Sequence, residues 1–412
     1  MVEREPLKKI LYLCYDGLTD PLGQSQVLPY LTELAKRGFD ITIISCEKAD
    51  KFLKHKTLIA AICNKAGIHW QPVKYHQTLP LISQAFTIFK VYQKAVSFQK
   101  QVNFNIVHGR SYVVSIVALK LKQRFGLKFI FDTRGFWHEE RLGNYRAKPI
   151  LNQIFQYFNR KEQQFIEQAD SIITLNETAK AEISQRKEFQ KSKTTIDVIP
   201  CCVDYELFTP AIEEDKKKVK QSLGIAADET VLGYVGSIGD ALYMLSEMLD
   251  FFKIMLHTLD NKARFLILTL GSEKDIFQQA KSKNIDTSSI IVKSATREQV
   301  AYYLKSVDFA ISFIQPRYEK RGCSPTKMGE YFAMNIPVIA NDGVGDVSKI
   351  MADTEGGVLI RNFNTESYKN AFNAVFQLKQ VLKGIEIREK SKKYYDLTQG
   401  VNTYCNIYNR LL

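Results

Sequence analysis

At 412 residues the chain exceeds what one hydrophobic core supports, so two domains are expected, and 45% apolar residues with 11 Pro and 21 Gly is ordinary globular usage. Its seven cysteines (14, 46, 63, 201, 202, 323 and 405) are odd in number, scattered and free of Cys-x-x-Cys spacing, which argues against a disulfide framework or zinc site and for a reducing compartment. The net charge of +13 is uneven: residues 1–200 hold 30 Lys and Arg against 18 Asp and Glu, and between Asp50 and Asp132 thirteen cations occur without one acid.

In chain order, residues 9–14 form a short apolar run leading into a glycine-containing loop. A helix is expected around residues 26–36, Gly38 closes it, and residues 40–45 read as a second strand. Strand, helix, glycine, strand at this spacing is a βαβ unit and predicts a parallel sheet. Further strands are expected at 106–108, 128–131, 171–174 and 195–199, with helices between them. The lysine-rich run Asp215-Lys216-Lys217-Lys218 and the turn near residues 226–228 suit a connection between domains. A second α/β series follows, with strands at 231–235, 265–269, 290–292, 309–312 and 338–340. The last stretch, carrying Tyr394, Tyr395, Tyr404 and Tyr408, reads as a helical tail. The expectation is two Rossmann-like α/β domains, 1–205 and 229–385, joined by a linker at 206–228 and followed by a helical segment at 386–412. Open parallel sheets bind ligands at strand carboxyl ends, so a cleft between the two domains is expected.

The most informative stretch is Cys323-Ser324-Pro325-Thr326-Lys327-Met328-Gly329-Glu330-Tyr331. Ser324 can cap a helix and Pro325 fits its first position, where no N–H is needed. The amides of Thr326 and Lys327 then lack intrahelical partners, at the positive end of the helix dipole. A cation at Lys327 opposes that dipole unless an anion, most simply a phosphate, docks on the same end. Glu330 follows about one turn later, placed to accept hydrogen bonds from a sugar or ribose hydroxyl. An ordinary capped helix in an α/β domain would carry the same residues.

Three polar stretches in the first domain invite chemistry. Gly23, Gln24 and Ser25 lie just before the first helix, where bare amides allow close phosphate approach. His108-Gly109-Arg110-Ser111-Tyr112 follows a strand and offers a cation at its carboxyl edge. Residues 132–141 place carboxylates, two arginines and a tryptophan together, too polar for a core. Within it Arg134 suits a phosphate, Trp137 a sugar face or lipid, and Glu139 an acceptor hydroxyl; each could equally be a structural ion pair or loop anchor.

Ser324 through Tyr331, followed by Pro337-Val338-Ile339-Ala340-Asn341-Asp342-Gly343, resembles the donor-binding segment of family-4 retaining glycosyltransferases of the GT-B fold, as found in bacterial polysaccharide and lipid-linked glycan synthesis. Residues 15–29, with Gly17, Gly23 and Pro29, resemble the first glycine loop of that family. Ile199-Pro200 with Val203, Asp204, Phe208 and Pro210 resembles the segment closing its first domain, and Tyr234-Val235-Gly236-Ser237 the opening of its second. The matches run in family order over nearly the whole chain. They imply a GT-B architecture whose last helix crosses back to the first domain, and metal-independent sugar transfer from a nucleotide-diphosphate sugar to a carbohydrate or lipid-linked acceptor, with the departing phosphate helping to deprotonate the acceptor.

The resemblance assigns donor contacts to Gly23, Gly236, Ser237, Ser324, Pro325, Thr326, Lys327 and Glu330, acceptor contacts to Gln24, Ser25, Arg110, Trp137 and Glu139, and catalytic roles to Asp132, Arg134 and Lys327. There are departures. Many relatives have a histidine where Asp132 aligns, and an Arg and a Lys where Ser237 and Leu242 stand, so Arg317, Lys320 and Arg321 are the nearby candidates to hold a diphosphate. The first of the family's paired glutamates is replaced by Gly322. A catalytically degenerate relative that binds nucleotide-sugar or partners an active transferase is the alternative these departures suggest.

No cofactor is expected. The sequence has no Asp-x-Asp pair and its six histidines show no ligand spacing, so no metal is expected either. Charge on a leaving group would then fall to helix N-termini and basic side chains. Residues 1–5 are charged with no apolar signal core behind them, and no run reaches the ~20 apolar residues of a membrane span, so a cytoplasmic protein is expected. The acid-free segment 51–131 suits an anionic membrane surface, with Ile82, Phe86 and Phe89 on one helical face and Lys90 and Lys94 displaced from it. A core-packing helix with a solvated cationic side fits the same pattern. Nucleic acid is not expected, for want of a recognition module.

Overall fold

The computed structural model describes residues 8–75, 80–143, 148–238, 243–381 and 386–412. The chain divides into two compact units, Met1–Pro200 with Leu397–Leu412, and Cys201–Asp396.

In the first unit seven strands, β1 (Lys8–Cys14), β2 (Phe39–Glu47), β3 (His69–Lys74), β4 (Ile106–Arg110), β5 (Lys128–Asp132), β6 (Ser171–Thr174) and β7 (Thr195–Val198), form a parallel sheet in the order β3-β2-β1-β4-β5-β6-β7. The central strands are buried on both faces, which is why they read as unbroken apolar runs such as Ile10-Leu11-Tyr12-Leu13. In the second unit β8 (Thr230–Val235), β9 (Ala263–Leu268), β10 (Ile290–Lys293), β11 (Phe309–Ser312), β12 (Val338–Asn341) and β13 (Gly357–Ile360) form a parallel sheet in the order β10-β9-β8-β11-β12-β13. Alternation sorts its side chains into two cores: Val231, Val235, Leu266 and Ala310 on one face, Leu232, Tyr234, Phe265 and Ile311 on the other. Both sheets are Rossmann-like, as expected.

The sequence reading missed two strands, β3 and β13, and both are sheet edges. β3 carries Pro72 opposite Ser45, tolerated because an edge strand needs no donor on its outer side. β13 opens on Gly357, where a Cβ would lie 1.9 Å from the Val338 carbonyl oxygen, so close strand approach replaces an apolar side chain.

The final helix, Leu397–Leu411, belongs to the first unit. It packs Tyr404 edge-on to Tyr30 (5.5 Å between ring centres) and Tyr408 edge-on to Phe39 (5.2 Å). The lysine-rich run falls in the helix Glu213–Ser222 of the second unit, where Lys216 Nζ reaches Asp308 at 2.5 Å and Asp215 takes Lys305 at 2.7 Å. Among the described residues no helix is long and apolar enough to cross a membrane.

Candidate functional site

Each sheet reverses its winding once, between β1 and β4 in the first unit and between β8 and β11 in the second. Such switch points open a crevice beyond the strand carboxyl ends.

At the first switch point β1 runs out through Asp16, and β4 ends in Arg110, whose Nη1 lies 2.8 Å from the Asp16 carboxylate. The glycine loop beside it is pinned by Glu47 at the end of β2. That buried carboxylate accepts the amides of Leu18 (2.8 Å) and Thr19 (3.1 Å) and the Ser45 hydroxyl (2.6 Å). A Cβ on Gly17 would meet Glu47 at 2.6 Å, and one on Gly23 would meet the Gly17 carbonyl at 2.1 Å. The glycines therefore let loop and helix close on each other.

Asp132 closes β5 and is wholly buried. Its Oδ2 receives the Tyr404 hydroxyl at 3.2 Å and His108 Nε2 at 3.4 Å, while the Tyr408 hydroxyl lies 2.9 Å from His108 Nδ1. Arg134 Nη1 stands 3.7 Å from Oδ1. Burial opposes ionisation of Asp132, but the Arg134 guanidinium and then the His108 hydrogen bond outweigh it and hold the carboxyl below its ordinary range. Burial is also the largest influence on His108, and it keeps the imidazole below its ordinary value despite the carboxylate beside it. A charged Asp132 and a neutral His108 follow, with the ring proton on Nε2 and Nδ1 accepting from Tyr408.

Residues 132–141 are less exposed than their polarity suggested. Thr133, Phe136 and His138 are buried with Asp132, around Glu162 of the helix Pro149–Gln168. Tyr112 donates to Glu162 Oε1; Arg186 Nη1 lies 2.7 Å and His138 Nδ1 3.3 Å from Oε2. Trp137 stacks on Tyr112 with ring centres 6.0 Å apart. Asp132, Thr133, Phe136 and His138 thus form part of a polar core, which overturns the reading of the stretch as too polar to bury, while Glu140 and Arg141 at its end are exposed.

At the second switch point the helix Thr326–Ala333 starts after β11, and its first bond runs from Met328 N–H to the Pro325 carbonyl, 3.1 Å. The Thr326 and Lys327 amides precede it. Lys327 Nζ contacts both oxygens of Glu330, at 3.0 and 2.9 Å. The Tyr331 hydroxyl accepts the Val235 amide at 2.8 Å, fixing the helix to the end of β8. Gly329 allows Tyr395 and Val203 to close on the helix: a Cβ there would lie 2.6 Å from Tyr395 and 2.8 Å from Val203.

Two family models match the chain: Glycosyltransferase Family 4 over residues 24–207 and Glycosyl transferases group 1 over residues 215–394. The chain belongs to the family-4 glycosyltransferases of the GT-B fold. No curated protein matches it significantly in sequence. Among solved structures, sucrose-phosphate synthase from Thermosynechococcus elongatus is similar at TM-score 0.71 and 15% identity, covering 98% of this chain and 99% of that one. Anabaena Alr3699/HepE in complex with UDP and glucose gives 0.67 and 14%, covering 98% and 100%. WaaG, a glycosyltransferase involved in lipopolysaccharide biosynthesis, gives 0.68 and 13%, covering 97% and 99%.

In this glycosyltransferase several expected site residues differ in placement from the sequence reading. Gly23, Gln24 and Ser25 lie inside the short helix Pro21–Gln26 rather than before a helix; Gln24 Nε2 bonds the Thr19 carbonyl (3.0 Å) and Ser25 Oγ the Pro21 carbonyl (2.9 Å). His108 lies in a strand, as the expectation at 106–108 has it, and the strand runs on to include Arg110, which is not a loop residue. Ser324 makes no capping bond; its Oγ accepts the Cys201 amide at 3.4 Å, and the helix starts one residue past Pro325. Gly236 commits its amide to the Leu268 carbonyl (3.1 Å), and the Ser237 carbonyl accepts the Tyr234 hydroxyl (2.8 Å). Of the three candidate cations, Lys320 is buried, Arg321 lies over the Tyr318 ring at 5.9 Å, and Arg317 is exposed. Gly322 is buried, and Leu242 lies outside the described residues. His138 Nε2 lies 3.4 Å from Glu139. The sequence reading assigned no role to Asp16, Glu47, Glu162 or the ring of His108, because nothing local marks a carboxylate or imidazole that will be paired across the fold. Among the described residues no three His, Cys, Asp or Glu side chains gather as a metal-binding group.

Proposed function

We propose that this glycosyltransferase moves a sugar from a nucleotide-diphosphate sugar to a carbohydrate or lipid-linked acceptor, with retention of configuration and without a metal. Residues 229–385 take the donor and residues 1–205 the acceptor. The observation that carries the reading is the start of the Thr326–Ala333 helix at the β8/β11 switch point, where two leading amides lie beside Lys327, whose ammonium contacts buried Glu330. Bare amides and a cation suit a diphosphate, and the carboxylate suits ribose or sugar hydroxyls. The complex of Anabaena HepE with UDP and glucose supports a nucleotide-sugar donor, and the role of WaaG in lipopolysaccharide biosynthesis supports a lipid-linked glycan acceptor.

Titration calorimetry and transfer assays over a panel of nucleotide sugars, with glycan and lipid-extract acceptors, test this. One donor should bind and turn over, unaffected by a chelator, and the first-formed product should keep the donor's anomeric configuration by proton NMR. Binding without turnover would favour a non-catalytic nucleotide-sugar-binding subunit, and an inverted product would overturn retention.

The same reading places the enzyme on the cytoplasmic face of a membrane, through the helix Pro80–Val102. Thr87, Val91 and Ala95 form its buried side, leaving Phe86 and Phe89 45% and 52% exposed, with Lys90 Nζ 5.3 Å from the Phe86 ring centre. Half-exposed aromatics beside cations suit a headgroup layer. Lys94 serves differently, bonding the Pro72 carbonyl at 3.1 Å, and the Ile82 side chain lies outside the described residues. Phe86→Ser/Lys90→Glu should reduce co-sedimentation with anionic vesicles at least about tenfold, since each cation contributes about 1 kcal/mol. High salt should do the same to the wild type. Equal binding to neutral and anionic vesicles would exclude this surface.

A further inference from the structure

We infer that His108, Tyr404 and Tyr408 are positioning residues for transfer, acting on Arg134 through the buried carboxylate of Asp132; the inference rests on the function proposed above. The backbone of Arg134 is left-handed (φ 51°) and is followed by Gly135 at φ 102°. A non-glycine residue adopts that conformation only at a steric cost, so its surroundings must hold it. The backbone before it is fixed: Ser111 N–H bonds the Asp132 carbonyl (2.7 Å) and Thr133 N–H the Ile173 carbonyl (2.9 Å). The guanidinium is held by charge, with Asp132 Oδ1 at 3.7 Å.

Oδ1 has no hydrogen-bond partner among the described residues, so the carboxylate's orientation is set from its other oxygen. Oδ2 takes two donors from separate parts of the chain, His108 on β4 and Tyr404 on the last helix. Tyr408, one turn beyond Tyr404, donates to His108 Nδ1 and so selects the tautomer that can donate to Asp132. Burial raises the pKa of both tyrosines well above the ordinary value, so both remain donors. The ring of Tyr12, 4.3 Å from that of His108, closes the other side. The helix Leu397–Leu411 thus sets the direction of one carboxylate, and that carboxylate stands against the Arg134 guanidinium.

Tyr404→Phe keeps the packed ring and removes one hydrogen bond to a buried charged group, so kcat should fall about tenfold with donor KM nearly unchanged, and the thermal midpoint should fall as well. In an Asp132→Asn background the same change should have no further effect. Wild-type kcat in Tyr404→Phe, or an equal loss in both backgrounds, would overturn the inference. Should Tyr404→Phe fail to fold, Tyr408→Phe carries the kinetic test: it keeps the ring but removes the donor that selects the His108 tautomer, so kcat should fall, and a wild-type kcat would overturn the inference. Nitrogen-15 spectra of histidine-labelled full-length protein supply a readout independent of activity. His108 should be neutral at pH 7 with its proton on Nε2, and Tyr408→Phe should move its Nδ1 resonance. An imidazolium or the opposite tautomer would overturn the network. A wild type that turns over no donor would sink the proposed function, and the imidazole spectrum would then decide the network by itself.

Discussion

Lys327→Ala should lower turnover about 100-fold while donor binding weakens far less, because a preorganised cation acts mainly on charge developed in the transition state. Lys327 is suited to that task by position. Its side chain is 41% exposed, at the positive end of a helix, whereas Glu330 beneath it is 2% exposed. At rest the ammonium contacts both Glu330 oxygens, so the carboxylate holds the cation at the helix start, where a departing phosphate would sit. Glu330→Gln should lower kcat/KM by roughly 10- to 150-fold, the range for losing a charged hydrogen-bond acceptor of about 1.5–3 kcal/mol.

The competing view is an ordinary i,i+3 helix pair, worth only about 0.3–0.5 kcal/mol and irrelevant to turnover. The double variant separates the two. Lys327→Ala alone leaves a buried carboxylate without its cation and should destabilise the second unit. Adding Glu330→Gln removes that charge, so the thermal midpoint should recover while turnover stays low. Recovery of both would reduce the pair to a structural contact. Wild-type kinetics in both folded single variants would move the donor site elsewhere.

The strands that position the two switch points were legible because they are buried on both faces. Apolar runs such as Val338-Ile339-Ala340 survive without context. The edge strands β3 and β13 were not, since Pro72 and Gly357 are allowed only by what lies beside them, whereas the edges β7 and β10 were. The same division holds for the sites. The helix at Thr326 announces itself locally, through Ser-Pro, an odd lysine and a glutamate one turn on. The Asp132 cluster does not. His108 and Asp132 lie 24 residues apart and Tyr404 is 272 residues beyond Asp132, so no window of sequence contains the network. Local reading could see that residues 132–141 are polar, but not that His138 would be buried against Glu162 or Asp132 against His108.

That buried cluster makes the largest stability prediction. Glu162→Ala should destabilise the first unit by about 3 kcal/mol, at the lower end of the range for breaking a buried ion pair by removing one partner. The carboxylate is fully buried, with Arg186 2.7 Å from Oε2, His138 3.3 Å from the same oxygen, and the Tyr112 hydroxyl on Oε1. Its removal takes away the carboxylate that both the guanidinium and the Tyr112 hydroxyl contact. Arg186 also lies over the Phe136 ring at 5.6 Å, and Tyr112 stacks on Trp137, so the segment leading from Asp132 should loosen with it. The measurement is unusually clean, because the only two tryptophans, Trp70 and Trp137, both belong to this unit. Tryptophan fluorescence in urea therefore follows its unfolding alone, and the midpoint should fall by about 1 M for an m-value near the upper end of the usual ~1–3 kcal/mol/M. Glu162→Gln, which keeps the Tyr112 bond and loses the charge, should fall between variant and wild type. A shift under ~0.3 M for Glu162→Ala would mean that water or a rearranged Arg186 replaces the carboxylate, and that the cluster does not hold the loop.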